Sequence, residues 1–357
     1  MQNTNKKPTV CSFFSGGGLL DLGFKDNFNI IWANEFNPEA AKSYRVNIGD
    51  HIVVDDINEI AKDMNKIPNA DIYIGGPPCI DFSTNGANRG EKGVNGQLTW
   101  TYFNIIKSKR PKVFVMENVV GLAQKHKGTL ERLKHSFNEI GYDVQVKTLN
   151  SAEFGTPQQR KRVFIIGFRN DLAIFFEFPT GNARLATVKD AFNGLSSPQT
   201  IKARDKVLGI TPNHTATWTN PSPERIKDLY VNPRPNQRVG LKRLEWDKPS
   251  YTLTAHIAKD GREFVHPAED RRISVRESLR IMGVPDSYII PSEIPLNQQY
   301  TLVGNGVAYQ VAKALAVAIK VQLTNVNKQI TEVSSLTGYK AKKVKAEQLS
   351  FDDLLFA

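Results

Sequence analysis

Two cysteines in 357 residues leave the chain short of covalent and metal staples. Cys11 and Cys79 cannot build a disulfide framework or supply an all-cysteine zinc site. A secreted fold that depends on such staples is excluded, and a reducing cytoplasm is the expected setting. No stretch approaches the ~20 consecutive apolar residues that a membrane span needs. Residues 1–8 are polar and lack the apolar core of a signal peptide. Acid is scarce relative to base: 36 Asp and Glu stand against 47 Lys and Arg, a net charge of +11. Such an excess suits a polyanionic partner. It is concentrated between Tyr230 and Arg243, where Arg234, Arg238, Lys242 and Arg243 occur with no acid among them.

An apolar content of 40% and a charged content of 23% describe an ordinary globular chain, long enough for one large domain and a smaller one. Short β-rich runs at 9–14, 29–32, 52–54, 71–75 and 112–116 alternate with helical stretches such as 38–46 and 98–109. Alternation of this kind predicts a parallel sheet covered by helices on both faces. Runs at 142–149 and 162–168 follow without a clear helix between them, which predicts an antiparallel pair at the sheet edge. From 179 to 249 the chain is rich in Pro, Asn, Ser and Arg and has little periodicity, as a loop-built module would. Helical pattern returns at 276–282 and at about 307–321. The segment from 324 onward reads as a polar, Lys-rich tail.

The first strand runs into Phe14-Ser-Gly-Gly-Gly-Leu-Leu-Asp-Leu-Gly23. A strand, a glycine-rich turn and a helix form a cofactor-binding arrangement, because glycine lets the backbone approach a ligand closely. Glu35, at the end of the second strand, is placed to accept from ribose hydroxyls. Phe36 beside it can pack on an adenine, and Asp56, after the third strand, can accept from an adenine amino group. Together these favour an adenosine-containing cofactor. The turn alone does not separate a nicotinamide dinucleotide from S-adenosylmethionine.

The fourth strand ends in Gly75-Gly-Pro-Pro-Cys79, so a thiol stands just beyond the carboxyl edge of the sheet, where open α/β sheets bind ligands. Two prolines stiffen its approach. A glycine-rich basic stretch from Ser83 to Gln97, containing Arg89, could close over a polyanion. Cys11, by contrast, sits within an apolar strand and reads as inert. The fifth strand ends in Met116-Glu-Asn-Val119, a carboxyl group suited to sharing a proton beside a nucleophile. A basic run, Gln158-Gln-Arg-Lys-Arg162, enters the sheet at the same edge.

In order along the chain, these segments resemble the DNA (cytosine-5) methyltransferases of the bacterial type: Phe14-Ser-Gly-Gly-Gly, Asn34-Glu-Phe, Asp56-Ile, Gly76-Pro-Pro-Cys79, Glu117-Asn-Val119, Gln158-Gln-Arg-Lys-Arg162, Arg272-Ile-Ser-Val-Arg-Glu277, Gly283-Val-Pro-Asp286 and Gly304-Asn-Gly-Val307. The resemblance implies an α/β fold with a mixed seven-stranded sheet. It implies a catalytic domain over 1–178 and 300–323, a target-recognition domain over 179–299 and a tail over 324–357. It implies S-adenosylmethionine as cofactor, no metal, and double-stranded DNA as partner, with the protein a cytoplasmic monomer acting on the nucleoid beside a cognate restriction endonuclease.

By that resemblance Cys79 is the nucleophile that adds to carbon 6 of a flipped-out cytosine, Glu117 holds ring nitrogen 3 and the exocyclic amine, and Arg162 holds the carbonyl oxygen with Arg160 in support. Phe14, Ser15, Gly16, Gly18, Leu20, Glu35, Phe36, Asp56, Ile57, Gly76, Pro78, Leu98, Asn305 and Gly306 would form the cofactor site. Ser83, Arg89, Arg234, Arg238, Lys242 and Arg243 would touch DNA. Three departures stand out: Ile80 where the family has Gln, Leu19 where it has Gly, and Gly306 where Ser or Ala is usual. A tRNA cytosine-5 methyltransferase would share the catalytic motifs, and a silent DNA-binding regulator would share the charge. The long basic module disfavours the first, and the intact Cys79, Glu117 and Arg162 disfavour the second. His214 reads equally as a structural residue.

Overall fold

The structure, a computed structural model, describes residues 7–78, 94–181, 183–200, 211–216, 224, 227, 242–259 and 264–337. Cys79, Ile80, Ser83, Arg89, Arg234 and Arg238 lie outside the described residues.

The expected alternation is present. β1 (Thr9–Phe13), α1 (Leu19–Phe24), β2 (Asn29–Glu35), α2 (Pro38–Asn47), β3 (Ile52–Val54), α3 (Ile57–Ile60), β4 (Ile72–Gly75), α4 (Val94–Lys109) and β5 (Val113–Val119) follow one another. Then come α5 (Gly121–Gln124), α6 (Lys127–Glu139), β6 (Tyr142–Asn150) and β7 (Lys161–Arg169). One sheet results, ordered β3-β2-β1-β4-β5-β7-β6. The first five strands are parallel to one another, and β7 is antiparallel to both β5 and β6. The short link between β6 and β7 cannot cross over the sheet, so the pair must be antiparallel. β7 lies between β5 and β6, which leaves only β6 at the edge.

Strand order reverses between β1 and β4, whose last residues, Phe13 and Gly75, are register partners. The crevice beyond the carboxyl ends of these two strands is where such sheets take ligands. The glycine turn and the Gly76-Pro77-Pro78 segment both leave from it.

Side-chain alternation on β1 builds two cores. Cys11 and Phe13 face a cluster with Tyr73, Tyr102, Phe114 and Phe137, whereas Val10 faces one with Phe24, Ile74 and Ile166. Burial pushes the Cys11 thiol up to about 12, against a small opposing pull from Lys109, so it stays protonated and unreactive as expected. A third cluster joins α7 (Val188–Phe192), α8 (Val275–Ile281) and α9 (Leu296–Asn305) to Leu19 and Leu22 of α1. α8 begins with a capping box in which Ser274 and Glu277 satisfy each other's backbone N–H groups.

Two features differ from the sequence expectation. α9 runs across the expected boundary at residue 300. α10 extends over Tyr309–Thr337, well past 321. Val326, Ile330 and Val333 continue a helical spacing within the polar stretch, and the next glycine is Gly338. After residue 179, β8 (Gln199–Thr200) and β9 (Thr215–Ala216) form a short parallel pair. His214 is buried there, with Nδ1 2.7 Å from Ser274 Oγ and Nε2 2.6 Å from the Ser196 carbonyl oxygen. Its role is structural. No single described helix is long and apolar enough to cross a membrane.

Candidate active site

Beyond β1 the chain turns sharply. Phe14, Gly16 and Gly18 have φ of 54°, 56° and 84°, a left-handed geometry that glycine adopts without strain. The Gly18 N–H donates to the Ser15 carbonyl (2.9 Å), and the Ser15 N–H donates to the Asn34 carbonyl (3.0 Å). Ser15 Oγ donates to Ser12 Oγ (2.9 Å). Glu35 ties the turn to α2: Oε2 accepts from the Gly16 N–H (2.7 Å) and Oε1 from the Asn37 N–H (2.8 Å). Burial raises the pKa of this carboxyl, opposed by the N–H groups of Asn37, Gly16 and Phe36.

Space and chemistry at the turn fit an adenosine-type cofactor. Among the described residues, apart from Gly16 and its two chain neighbours, no atom lies within 4 Å of the place a Cβ on Gly16 would take. Phe36, next to the Glu35 carboxylate, is 73% exposed, which is unusual for a large apolar side chain unless a ligand covers it. Phe14 and Leu98 pack against the cluster that holds Ile57. Asp56 lies two residues past β3 and caps α3, its Oδ1 accepting from the Asn58 N–H (2.8 Å). Leu20, also expected in the set, turns its side chain elsewhere. Its side chain packs with Phe24, Ile30 and the apolar face of α10, away from Phe14 and Ile57. Only its backbone is left to meet a ligand.

At the adjacent strand ends, register dictates the next pairing. β5 places Val119 opposite Arg162 of β7, and Glu117 opposite Phe164. Residues two apart share a face, so Glu117 and Arg162 are diagonal neighbours on one side of the sheet. Arg162 Nε and Glu117 Oε1 are 3.0 Å apart, with side chains only 15% and 13% exposed. Burial raises the Glu117 pKa, and the positive charges of Arg162 and Arg160 oppose the rise. Gly76 adjoins the carboxylate: a Cβ there would lie 3.3 Å from Oε2. Asn118 Nδ2 donates to the Pro77 carbonyl (3.4 Å). The chain that leads into Cys79 is therefore attached to the strand that carries Glu117, and Pro78 is the last residue described before the thiol.

Arg160, expected in support of Arg162, stands close enough for its charge to act on Glu117. It is 2% exposed and donates to the carbonyls of Leu253, Gly304 (3.0 Å) and Gly306 (2.7 Å). It ties the 253 and 304–306 segments to the start of β7. Asn305 is exposed at the end of α9, and Gly306 caps that helix. A Cβ on Gly306 would stand 2.2 Å from Leu19 Cδ1. The two departures from the family pattern therefore meet in space: the side chain gained at 19 fills the room given up at 306.

Among the expected DNA contacts, Lys242 is exposed, with Nζ 5.4 Å from the centre of the Tyr251 ring. Arg243 is engaged within its own chain. Its guanidinium pairs with Asp270 and donates to the carbonyls of His266 (2.7 Å) and Glu269 (3.0 Å), which makes it a brace within the module. Sequence reading missed Tyr288, whose hydroxyl reaches the glycine turn from 271 residues away. No local pattern could have found that contact.

Comparison with known proteins agrees with this geometry. Residues 9–321 match the family model for C-5 cytosine-specific DNA methylase. The chain is 35% identical over 342 residues to the Type II methyltransferase M.MthTI of Methanothermobacter thermautotrophicus, covering 89% of this chain and 98% of that one. It is 34% identical over 351 residues to the Type II methyltransferase M.NgoPII of Neisseria gonorrhoeae, covering 88% and 98%. The fold matches the solved structure of the methyltransferase EhMeth of Entamoeba histolytica with a TM-score of 0.69 at 16% identity, covering 89% and 99%. With the ordered motifs, the switch-point crevice and the buried Glu117–Arg162 pair in place, the chain belongs to the C-5 cytosine-specific DNA methylases.

Proposed function

We propose that Cys79, Glu117 and Arg162 carry methyl transfer to carbon 5 of a cytosine flipped out of double-stranded DNA. We assign the modification half of a Type II restriction system, acting as a monomer on cytoplasmic DNA with a separate endonuclease. The observation that carries the catalytic reading is the largely buried Arg162–Glu117 pair, one strand away from the segment leading to Cys79.

Carbon 5 of cytosine is a weak nucleophile. The Cys79 thiolate adds to carbon 6, and the ring then gains electron density at nitrogen 3 and carbon 5. Glu117 meets that charge. Burial raises its pKa, which eases its sharing a proton with nitrogen 3, and Arg162 both orients its carboxyl group and takes the carbonyl oxygen of the base. S-adenosylmethionine, when bound, supplies an electrophilic methyl group on sulfur. The glycine turn, Glu35, Phe36 and Asp56 would hold it, with Phe14, Ile57 and Leu98 as an apolar wall. The carbon 5 proton leaves to water, and Cys79 is eliminated. Lys242 and the recognition module, 179–299, read the duplex.

Bisulfite sequencing of plasmid DNA from cells expressing the protein tests this reading against a Cys79→Ser control. The expected result is protected cytosines within one short motif, absent from the control. Unprotected DNA together with newly methylated tRNA would replace duplex DNA as the substrate.

A further inference from the structure

We infer that Tyr288 is a positioning residue for the cofactor turn, fixing the Gly17 carbonyl so that the turn stays shaped for the methyl donor. The inference rests on the reading of that turn as the S-adenosylmethionine site.

The Tyr288 hydroxyl donates to the Gly17 carbonyl (2.7 Å) and lies 2.9 Å from Ser43 Oγ on α2. All three groups are buried. The phenol's pKa is raised well above 10, chiefly by burial, so the hydroxyl remains a donor at any working pH. Because Tyr288 donates its proton to Gly17, Ser43 must donate to the Tyr288 oxygen. The result is a directed chain of hydrogen bonds ending on the turn.

The turn needs such a hold. The peptide between Gly17 and Gly18 has no Cβ on either side, and Gly16 and Gly18 already have left-handed φ. A peptide of this kind rotates with little steric resistance. It is held by two bonds, Tyr288 to its carbonyl and its own N–H to the Ser15 carbonyl. From the other side Glu35 grips the Gly16 N–H. Gly17 itself is required by the tyrosine, since a Cβ there would stand 2.6 Å from the Tyr288 oxygen.

Tyr288 is itself fixed. Its carbonyl accepts from Arg276 Nη2 (2.9 Å), and Arg276 Nε donates to the Pro212 carbonyl (2.9 Å). Ile289 exchanges two bonds of 2.8 Å with the Asn47 side chain of α2. Ile290 does the same with Asn213, at 2.7 Å and 3.0 Å. The segment 288–290 thus joins the turn, α2 and the recognition module.

Tyr288→Phe removes the hydroxyl and keeps the ring. Titration calorimetry with S-adenosylhomocysteine, without DNA, should show Kd raised about threefold to tenfold, as expected for one lost buried hydrogen bond. The KM for S-adenosylmethionine should rise by a similar factor, while the KM for duplex DNA, kcat at saturating donor and the melting temperature of the free protein change little. Ser43→Ala, which removes the donor behind Tyr288, should weaken S-adenosylhomocysteine binding by about twofold, and it carries the same test if Tyr288→Phe fails to fold. Wild-type affinity in the variants overturns the inference. So does a parallel loss of donor affinity, DNA affinity and melting temperature, which would mark a general packing role. If the wild-type protein itself binds no S-adenosylhomocysteine, the underlying reading of the turn fails.

Discussion

Glu117 shows how one side chain gains its chemistry from where the strand ends. A carboxyl group on an exposed loop would be ionised and hydrated. Here burial favours the neutral acid while Arg162, 3.0 Å away, keeps it oriented. Glu117→Gln keeps the shape and an N–H donor but cannot deliver a proton to nitrogen 3. Its kcat should fall by about 10²- to 10⁴-fold with donor affinity unchanged, measured by steady-state kinetics and calorimetry. At residue 306 the effect is steric. Gly306→Ala drives a methyl group into Leu19 and should destabilise the fold by roughly 1–3 kcal/mol. In Leu19→Ala/Gly306→Ala the clash is gone. Denaturant unfolding of the two single variants and the double should therefore give a double-variant loss smaller than the sum of the singles; simple additivity would show that Leu19 and Gly306 do not compensate. Both departures were visible in the sequence, but that they touch was not, because 287 positions separate them. The same limit applied to arginine. That Glu117 stands near the end of a strand and that the run containing Arg162 enters the sheet at the same edge was legible. Nothing in a basic run, however, tells which guanidinium faces a ligand and which, like Arg160 and Arg243, is consumed by carbonyls of its own chain.

At the scale of elements, the parallel strands and the β6–β7 pair were legible because a buried sheet imposes strong apolar runs at short intervals. α9 was not. Its residues Leu296-Asn-Gln-Gln-Tyr are half polar, and Gly304-Asn-Gly at its end reads as a turn. What holds it is tertiary: Tyr300 and Val303 enter the cluster with α7 and α8. Arg160 then fastens its last turn and residue 253 to the start of β7. Lysine cannot satisfy three carbonyls spread around a planar fork. Arg160→Lys should therefore lower stability by roughly 2–4 kcal/mol and loosen α9 before the sheet, as buried carbonyls lose their donors. Hydrogen exchange should show protection falling over 296–306 while β1, β4 and β5 keep theirs. Equal loss across the sheet would contradict a local clasp.

The molecule as a whole carries a titration at its centre. Asp21 of α1 is fully buried, and burial lifts its pKa to about 6 in spite of the Ser12 and Tyr44 hydroxyls that favour the charged form. The ordinary carboxyl value is 3.8. Below that value Asp21 is protonated in both folded and unfolded chains, and its full contribution to stability is present. Between 3.8 and about 6 the unfolded chain gives up the proton while the folded one keeps it, so rising pH erodes stability. Above about 6 the loss is complete, on the order of 3 kcal/mol for a shift of this size. Asp21→Asn has no proton to lose and still accepts from Tyr44 Oη, 2.9 Å away in the native site. Denaturant melts of both proteins, run from pH 4 to pH 8, isolate this group because other titrations cancel in the difference. The variant should gain on the wild type as pH rises through the window and hold that gain above it. A difference that stays flat would mean that Asp21 reaches water in the folded state and is already ionised well below pH 6.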